Sequence, residues 1–148
     1  MKIKKVSSNE APMNLLLEAD PAESKVREYL CSSHCFQADK SGTIVGVYVL
    51  QPLDNSKFEL MNIAVAPKSQ NQGIGTKLLN HAIQSAKELG AKQLEVGTGS
   101  FGYQLAFYQK AGFRVSSIEK DFFLTHHDEP IFELGIQLKD MIRLSIEL

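Results

Sequence analysis

The chain has 148 residues, of which 43% are apolar and 22% are charged, and its formal net charge is −1. These values are typical of one soluble globular domain, and they provide no excess of positive charge for holding nucleic acid or an anionic membrane. No apolar run approaches the ~20 residues of a bilayer span, and no apolar core follows the basic start of the chain. We therefore expect one domain over residues 1–148, with no signal peptide.

The two cysteines favour a reducing compartment. Cys31 and Cys35 are four residues apart, with His34 between them. A structural zinc site needs about four ligands, and no second cluster of ligands accompanies these residues. We therefore interpret both as free structural thiols of a cytoplasmic protein and expect no metal.

The predicted elements follow the order β-α-β-β-β-α-β-α-β-β. Strands are expected at 2–7, 36–39, 43–50, 57–66, 93–98, 113–123 and 140–147, and helices at 21–32, 73–89 and 103–111. β-branched and alternating residues indicate the strands, and apolar residues at helical spacing indicate the helices. Because three consecutive strands precede the main helix, the pattern favours a mixed sheet flanked by helices, an α/β (α+β) fold, over a doubly wound parallel sheet.

Local patterns add detail to three of these elements. The strand at 57–66 alternates, so odd and even positions are expected on opposite faces. The odd set is Glu59, Met61, Ile63 and Val65, and the even set is Phe58, Leu60, Asn62 and Ala64. The helix at 73–89 carries one apolar stripe. The helix at 21–32 is expected to be capped by Asp20, with Pro21 at its first position.

The segment from Gln70 to Thr76 links the strand at 57–66 to the main helix. The first amides of a helix have no partners within it, and the helix dipole adds partial positive charge there. Gly73 and Gly75 lack the Cβ atoms that would keep a phosphate at a distance. Two other phosphate motifs do not fit, because Lys77 does not directly follow Gly75 and Leu78 stands where a third glycine would be needed. The pattern predicts a pyrophosphate site, although glycines that only tighten a turn would share part of it.

At this segment the sequence resembles a known family. Gln70-Asn71-Gln72-Gly73-Ile74-Gly75 is similar to the coenzyme A signature, Arg/Gln-x-x-Gly-x-Gly/Ala, of the GNAT superfamily of N-acetyltransferases. Leu94-Glu95-Val96 and the stretch from Phe107 to Phe113 resemble that family's next strand and its Tyr-x-x-x-Gly-Phe helix end. The end of the chain, from Asp121 to Arg143, is similar to a bacterial single-domain subgroup. The resemblance implies a mostly antiparallel central sheet and acetyl-CoA as co-substrate.

The resemblance also implies how coenzyme A would be held. The main chain of Ile63 and Val65 would bond the pantetheine arm and the thioester. Gln70 opens the signature, and the amides of Asn71, Gln72, Gly73, Ile74, Gly75 and Thr76 would hold the pyrophosphate. Ser100 lies in a turn where relatives often carry an asparagine, so it is a candidate for that asparagine's contact.

Acetyl transfer to an amine needs a base for the ammonium proton and an acid for the departing thiolate. Tyr108 matches the family tyrosine that points at the sulfur, which implies the general acid, although a core-packing aromatic would look the same. Glu59 stands eleven residues before Gln70, where histone-type members carry a basic glutamate. A water chain, or either of His126 and His127, is an alternative base.

The expected activity is transfer of an acetyl group from acetyl-CoA to a primary amine of a small molecule or peptide. The acidic residues Asp128, Glu129 and Glu133 could attract such an amine, or they could form an ordinary solvated loop. A non-catalytic acyl-CoA sensor on the same fold and a general nucleotide-binding module are the alternatives. No nucleic acid or membrane partner is expected, and a homodimer is possible because two-fold pairs are the commonest assemblies.

Overall fold

The computed structural model describes all residues from 1 to 148. The elements are β1 (Lys2–Val6), α1 (Met13–Ala19), α2 (Glu23–Leu30), β2 (His34–Lys40), β3 (Thr43–Pro52), β4 (Lys57–Val65), α3 (Ile74–Glu88), β5 (Gln93–Gly99), α4 (Tyr103–Lys110), β6 (Arg114–Glu119), α5 (Phe122–His126), β7 (Phe132–Glu133), β8 (Ile136–Gln137) and β9 (Met141–Glu147). Seven strands form a mixed, mostly antiparallel sheet flanked by helices, which confirms the predicted fold class. None of the helices combines the length and the apolar character that crossing a bilayer requires.

The residues fall into two compact units, residues 1–94 with Leu148 and residues 95–147. The expectation of one domain over residues 1–148 stays a prediction. The first unit is built on an antiparallel meander in which β1, β2, β3 and β4 pair in chain order.

Both cysteine thiols are free. Cys31 is exposed, whereas Cys35 is buried in the core, and its burial raises the pKa of the thiol to about 11.

The strand β3 is buried on both faces. Val47 and Val49 pack into a core with α1 and α2, which contribute Leu16 and Val26. Gly46, on the opposite face, lies against Leu78 of α3. The approach is so close that a Cβ atom at Gly46 would come within 2.6 Å of the leucine Cδ1. The absence of that Cβ allows α3 to lie close to the sheet.

The pairing of β3 with β4 contains a β-bulge at Met61. Val49 pairs with Asn62, but the next residue, Leu50, pairs with Leu60. A bulge places two residues of one strand opposite one residue of its partner and so interrupts the alternation of faces. The predicted division of β4 into odd and even faces is therefore wrong across the bulge.

Hydrogen bonds and register identify the face of β4 that α1 and α2 cover. Asn62 Nδ2 donates to the main-chain oxygen of Leu16 in α1 over 3.0 Å and to Tyr29 Oη in α2 over 2.9 Å. Glu59 pairs with Gln51, whose Nε2 donates to a serine beside the end of α2 over 2.9 Å. Glu59 therefore lies on the same face of β4 as Asn62.

The opposite face of β4 lies toward α3. Ile63 pairs with Tyr48, whose hydroxyl donates to Ser85 Oγ of α3 over 2.8 Å, and Val65 pairs with Gly46. The prediction that Glu59 shares a face with Ile63 and Val65 is therefore wrong. The prediction failed because of the bulge at Met61. The bulge forms only in the pairing with β3 and cannot be recognised from the alternating sequence of β4.

The second unit contains β5, β9 and β6 in that spatial order, together with α4, α5 and the β7–β8 hairpin. The strand predicted at 113–123 ends at Glu119. Asp121 adopts a φ of +61°, and its N–H donates to Asp140 Oδ1 over 2.9 Å, which starts α5 at Phe122. The chain reverses here because the carboxylate that holds the turn comes from a residue nineteen positions away.

The N-terminal helices also differ from the prediction. The helix expected at 21–32 begins at Glu23, so Pro21 lies outside it. Asp20 does not cap the helix through its side chain, since its Oδ1 instead accepts the N–H of Ala22 over 3.1 Å in the preceding turn. The helix α1 was not predicted, because Leu15 and Leu16 are the only buried residues in its seven-residue span.

Candidate active site

The segment between β4 and α3 is braced by its first signature residue. Gln70 Nε2 donates to the main-chain oxygen of Val65 over 3.1 Å. A short 3-10 turn at Pro67–Ser69 lies between these two residues and is closed by a bond of 2.8 Å from the Ser69 N–H to the Ala66 oxygen. The side chain of Gln70 therefore holds the loop against the end of β4.

The amides that follow Gln70 have no hydrogen-bond acceptor recorded within the chain. The first bond at the start of α3 runs from the Lys77 N–H to the Gly73 oxygen over 3.2 Å. The N–H groups from Asn71 to Thr76 donate no hydrogen bond to any other part of the chain. Six consecutive donors without a protein acceptor, at the positive end of a fifteen-residue helix, are suited to holding an anion.

The backbone around these donors requires special conformations. Asn71 and Gly73 adopt φ values of +63° and +81°, in the left-handed region. A Cβ atom at Gly73 would meet no atom within 4 Å, so the glycine borders open space that a side chain would enter. A pyrophosphate fits this arrangement, because it needs several N–H donors and a close approach to the backbone.

The helix that supplies these amides is fixed to the sheet by a polar cluster. The Tyr48 hydroxyl lies 2.7 Å from His81 Nδ1 and 2.8 Å from Ser85 Oγ, and Phe36 stacks on Tyr48 with ring centroids 4.9 Å apart. Burial raises the pKa of Tyr48 above its ordinary value, so the hydroxyl stays protonated and can donate. Sequence reasoning missed this cluster and the close approach at Gly46, although an isolated glycine within a strand signals such an approach.

In the second unit, Tyr108 combines a buried ring with an unpaired hydroxyl. The ring packs against Phe107 and Phe113 at centroid distances of 5.3 and 5.7 Å, and only 6% of the residue is exposed. Its hydroxyl has no hydrogen-bond partner within the chain. Burial, with a smaller contribution from Tyr103, raises the pKa of Tyr108 above its ordinary value. The hydroxyl is thus a protonated donor with no acceptor of its own.

Ser100 lies exposed in the turn between β5 and α4. Gly99 and Gly102 bound this turn, and both lie close to the segment that contains the hairpin. A Cβ at Gly99 would come within 2.7 Å of Leu138, and one at Gly102 within 3.8 Å of Glu133 Oε2. The side chain of Glu133 therefore lies beside the start of α4, the helix that carries Tyr108.

The other candidate acid–base residues differ in how they are held. Glu59 is half-buried on the face of β4 that carries Asn62. His126 stacks on Phe122 with centroids 4.3 Å apart, and its Nδ1 lies 2.9 Å from the Phe122 main-chain oxygen. His127 stacks on Phe123, with ring centroids 5.9 Å apart. No group of three or more His, Cys, Asp or Glu side chains is arranged to hold a metal ion.

Known proteins share both the sequence and the fold of this chain. The model of the acetyltransferase (GNAT) family matches residues 7–113. The uncharacterized N-acetyltransferase YvbK of Bacillus subtilis (strain 168) is 46% identical over 95% of this chain and 92% of its own length. These matches span the β4–α3 segment and Tyr108.

Two solved structures extend the likeness to almost the whole fold. An IAA acetyltransferase from Bacillus cereus ATCC 14579 is 46% identical, with a TM-score of 0.96 over 99% of both chains. A GNAT family acetyltransferase from Elizabethkingia anophelis with acetyl-CoA bound is 44% identical, also with a TM-score of 0.96, over 99% of this chain and 97% of its own. The chain that presents six free amides at the start of α3 thus belongs to the acetyltransferase (GNAT) family.

Proposed function

We propose that this protein is a cytoplasmic enzyme that transfers the acetyl group of acetyl-CoA to a primary amine of a small molecule or peptide. The observation that carries the proposal is the row of unpartnered N–H groups from Asn71 to Thr76. A relative of the same fold, 44% identical, has acetyl-CoA bound, which supports the choice of acyl donor.

The proposed binding roles are supported by the positions of the residues. The six amides would hold the pyrophosphate, and Gln70 would keep their loop in place through its bond to Val65. The main chain of Ile63 and Val65 would hydrogen-bond to the pantetheine arm, which would lie along β4 in the way that an added strand does. Ser100 would add a polar contact from the turn before α4.

Acetyl-CoA supplies an activated acetyl group as a thioester, and the residues of the chain manage the protons. A neutral amine attacks the carbonyl carbon, a carbon–nitrogen bond forms and the carbon–sulfur bond breaks. Tyr108 would give its proton to the departing thiolate, a role that its unpaired hydroxyl supports. Glu59 would accept the proton that the amine must lose.

A thiol-release assay tests the proposal. Acetyl-CoA is incubated with the enzyme and a panel of primary amines, amino acids and short peptides, and free coenzyme A and N-acetylated product are both quantified. At least one amine should give the two products in equal amounts. Tight coenzyme A binding in calorimetry without turnover of any amine would favour the acyl-CoA sensor, and preferential binding of ATP would favour a nucleotide-binding module.

A further inference from the structure

The strand β6 is an exposed edge of the second unit. It pairs with β9 on one side only, and its residues from Arg114 to Ile118 are all exposed. Val115 is 53% exposed and Ile118 is 58% exposed. An unpaired strand edge with apolar side chains is a template for pairing with another strand.

The edge strand of the first unit, β1, is protected from pairing with another strand by its charged residues. β1 carries Lys2, Lys4 and Lys5 within its five residues. Lysines on an edge strand oppose pairing with another chain, because each charge would have to be desolvated. β6 has charged residues only at its two ends, so it lacks this protection.

The six residues of β6 are complementary to themselves. When Arg-Val-Ser-Ser-Ile-Glu is placed antiparallel to a second copy with the centre between Ser116 and Ser117, Arg114 stands opposite Glu119 and Val115 opposite Ile118. Serine then stands opposite serine. A two-fold interface requires such a pattern, since each residue that contacts a partner residue is matched by the reciprocal contact.

A β-bulge in β6 sorts these residues by face. Val115 pairs with Leu144, but the next paired residue is Ser117, opposite Arg143, so Ser116 is the additional residue. Val115 and Ile118 are three positions apart and would point to opposite faces in a regular strand. Because of the bulge, Val115 and Ile118 share one face of the sheet. Arg114 and Glu119, at the two ends of the strand, lie on the other face.

The same bulge does not prevent pairing between two copies. Bulges usually protect edges because they change the spacing of one strand relative to a regular partner. Under two-fold symmetry both strands carry the same bulge, so the distance from Val115 to Ile118 is equal in each. The apolar pairs can therefore form on one face while the ion pairs form on the other.

The charges on the second face favour a copy of this chain as the partner. Arg143 lies 3.2 Å from Glu119 and 3.7 Å from Glu95, so carboxylates and a guanidinium lie together on this face. Arg114 is exposed and takes part in no ion pair within its own chain. In the two-fold arrangement, Arg114 of each copy would stand opposite the carboxylate of Glu119 of the other.

From these observations we propose that the protein forms a two-fold homodimer in which the β6 strands of two copies pair antiparallel. The interface contains two Arg114–Glu119 ion pairs on one face and two Val115–Ile118 contacts on the other. The pairing removes the exposed edge of both copies.

The test is a charge-reversal and mixing experiment followed by analytical ultracentrifugation. The wild-type protein should sediment at twice the 16.4 kDa mass of the chain. Arg114→Glu and Glu119→Arg should each be monomeric at concentrations where the wild type is dimeric, because like charges then face each other. An equimolar mixture of the two variants should recover the dimeric mass, since every pair in the mixed dimer is again of opposite sign. Lys2→Glu, a charge reversal on the edge strand β1, should leave the dimer unchanged.

A second variant separates loss of the interface from loss of folding. Val115→Lys leaves Glu119 and Arg143 in place and should also give a monomer, while circular dichroism and the melting temperature stay close to those of the wild type. A wild-type protein that sediments at 16.4 kDa at every concentration overturns the proposal. So does a dimer that survives the single charge reversals, or a pair of folded variants that stay monomeric when mixed.

Discussion

The Gln70 side chain donates a hydrogen bond of 3.1 Å to the main-chain oxygen of Val65. This bond joins the last residue of β4 to the first residue of the coenzyme A signature, so the loop enters α3 in one arrangement. A binding site whose donors are already arranged loses less conformational entropy when its ligand binds. In the proposed function, Gln70 would therefore contribute to binding by holding the loop through a bond within the protein.

Removal of this brace should weaken acetyl-CoA binding. A hydrogen bond of this kind contributes about 1 kcal/mol, so Gln70→Ala should raise the dissociation constant of acetyl-CoA roughly fivefold. Calorimetry measures the constant directly. Gln84→Ala, which removes an exposed bond of 3.2 Å to Glu88 in α3, is the matched control and should bind acetyl-CoA as the wild type does. Equal affinities for the wild type and Gln70→Ala would contradict the bracing role.

Gly73 provides a second test, with a close match elsewhere in the chain. Gly42 adopts a φ of +80° and Gly73 a φ of +81°, and a Cβ atom at either position would meet nothing within 4 Å. Alanine at either site should therefore cost about 1 kcal/mol of folding stability. Only Gly73→Ala should also weaken acetyl-CoA binding, by roughly tenfold, because its methyl group enters the space beside the free amides. Thermal unfolding of both variants measures the strain, and calorimetry measures acetyl-CoA binding. Equal acetyl-CoA affinities for Gly73→Ala and the Gly42→Ala control would count against the anion site.

Tyr108→Phe tests the general acid. The change removes one hydroxyl that has no partner in the chain, so folding and acetyl-CoA affinity should stay close to wild type. The turnover number should fall about 100-fold if the hydroxyl supplies the proton to the thiolate. Tyr103→Phe, at a position 79% exposed, is the control and should keep full turnover. A Tyr108→Phe enzyme with an unchanged turnover number would exclude the residue from proton transfer.

The pH dependence of the wild-type enzyme follows from the same residue. Burial raises the pKa of Tyr108, so its hydroxyl remains protonated at every pH below its ordinary pKa of ~10. The turnover number should therefore show no decline between pH 7 and about 10 that is due to loss of this proton. Because the raised pKa favours the neutral form in the folded state, this contribution to stability is present at neutral pH and is lost as the pH rises above 10. Rates and melting temperatures measured across this range check both statements.

Glu59→Gln tests the proposed base. The substitution keeps the shape of the side chain on its face of β4 and removes the proton acceptor, so the turnover number should fall about 100-fold. His126→Gln and His127→Gln are the comparison variants and should keep the wild-type turnover number. A fall in the turnover number of either histidine variant, with Glu59→Gln unaffected, would transfer the role to that histidine.

Sequence reasoning predicted the fold class, the family and most of the elements, because these depend on local patterns. The strand before Gly73 and the helix after it are defined by alternation and helical spacing within a few residues. The strand predicted at 113–123 was too long, since the break at Asp121 depends on a carboxylate from Asp140. The helix α1 was missed because its apolar residues have a partner surface only in the folded unit.

Two parts of this protein were decided at different levels. The free amides at the start of α3 follow from the sequence alone, because the first N–H groups of any helix lack acceptors within it and the glycines are read directly from the chain. The face that Glu59 occupies and the sharing of one face by Val115 and Ile118 were decided only by the tertiary structure. Both depend on β-bulges, and a bulge exists only in relation to the strand that pairs with it.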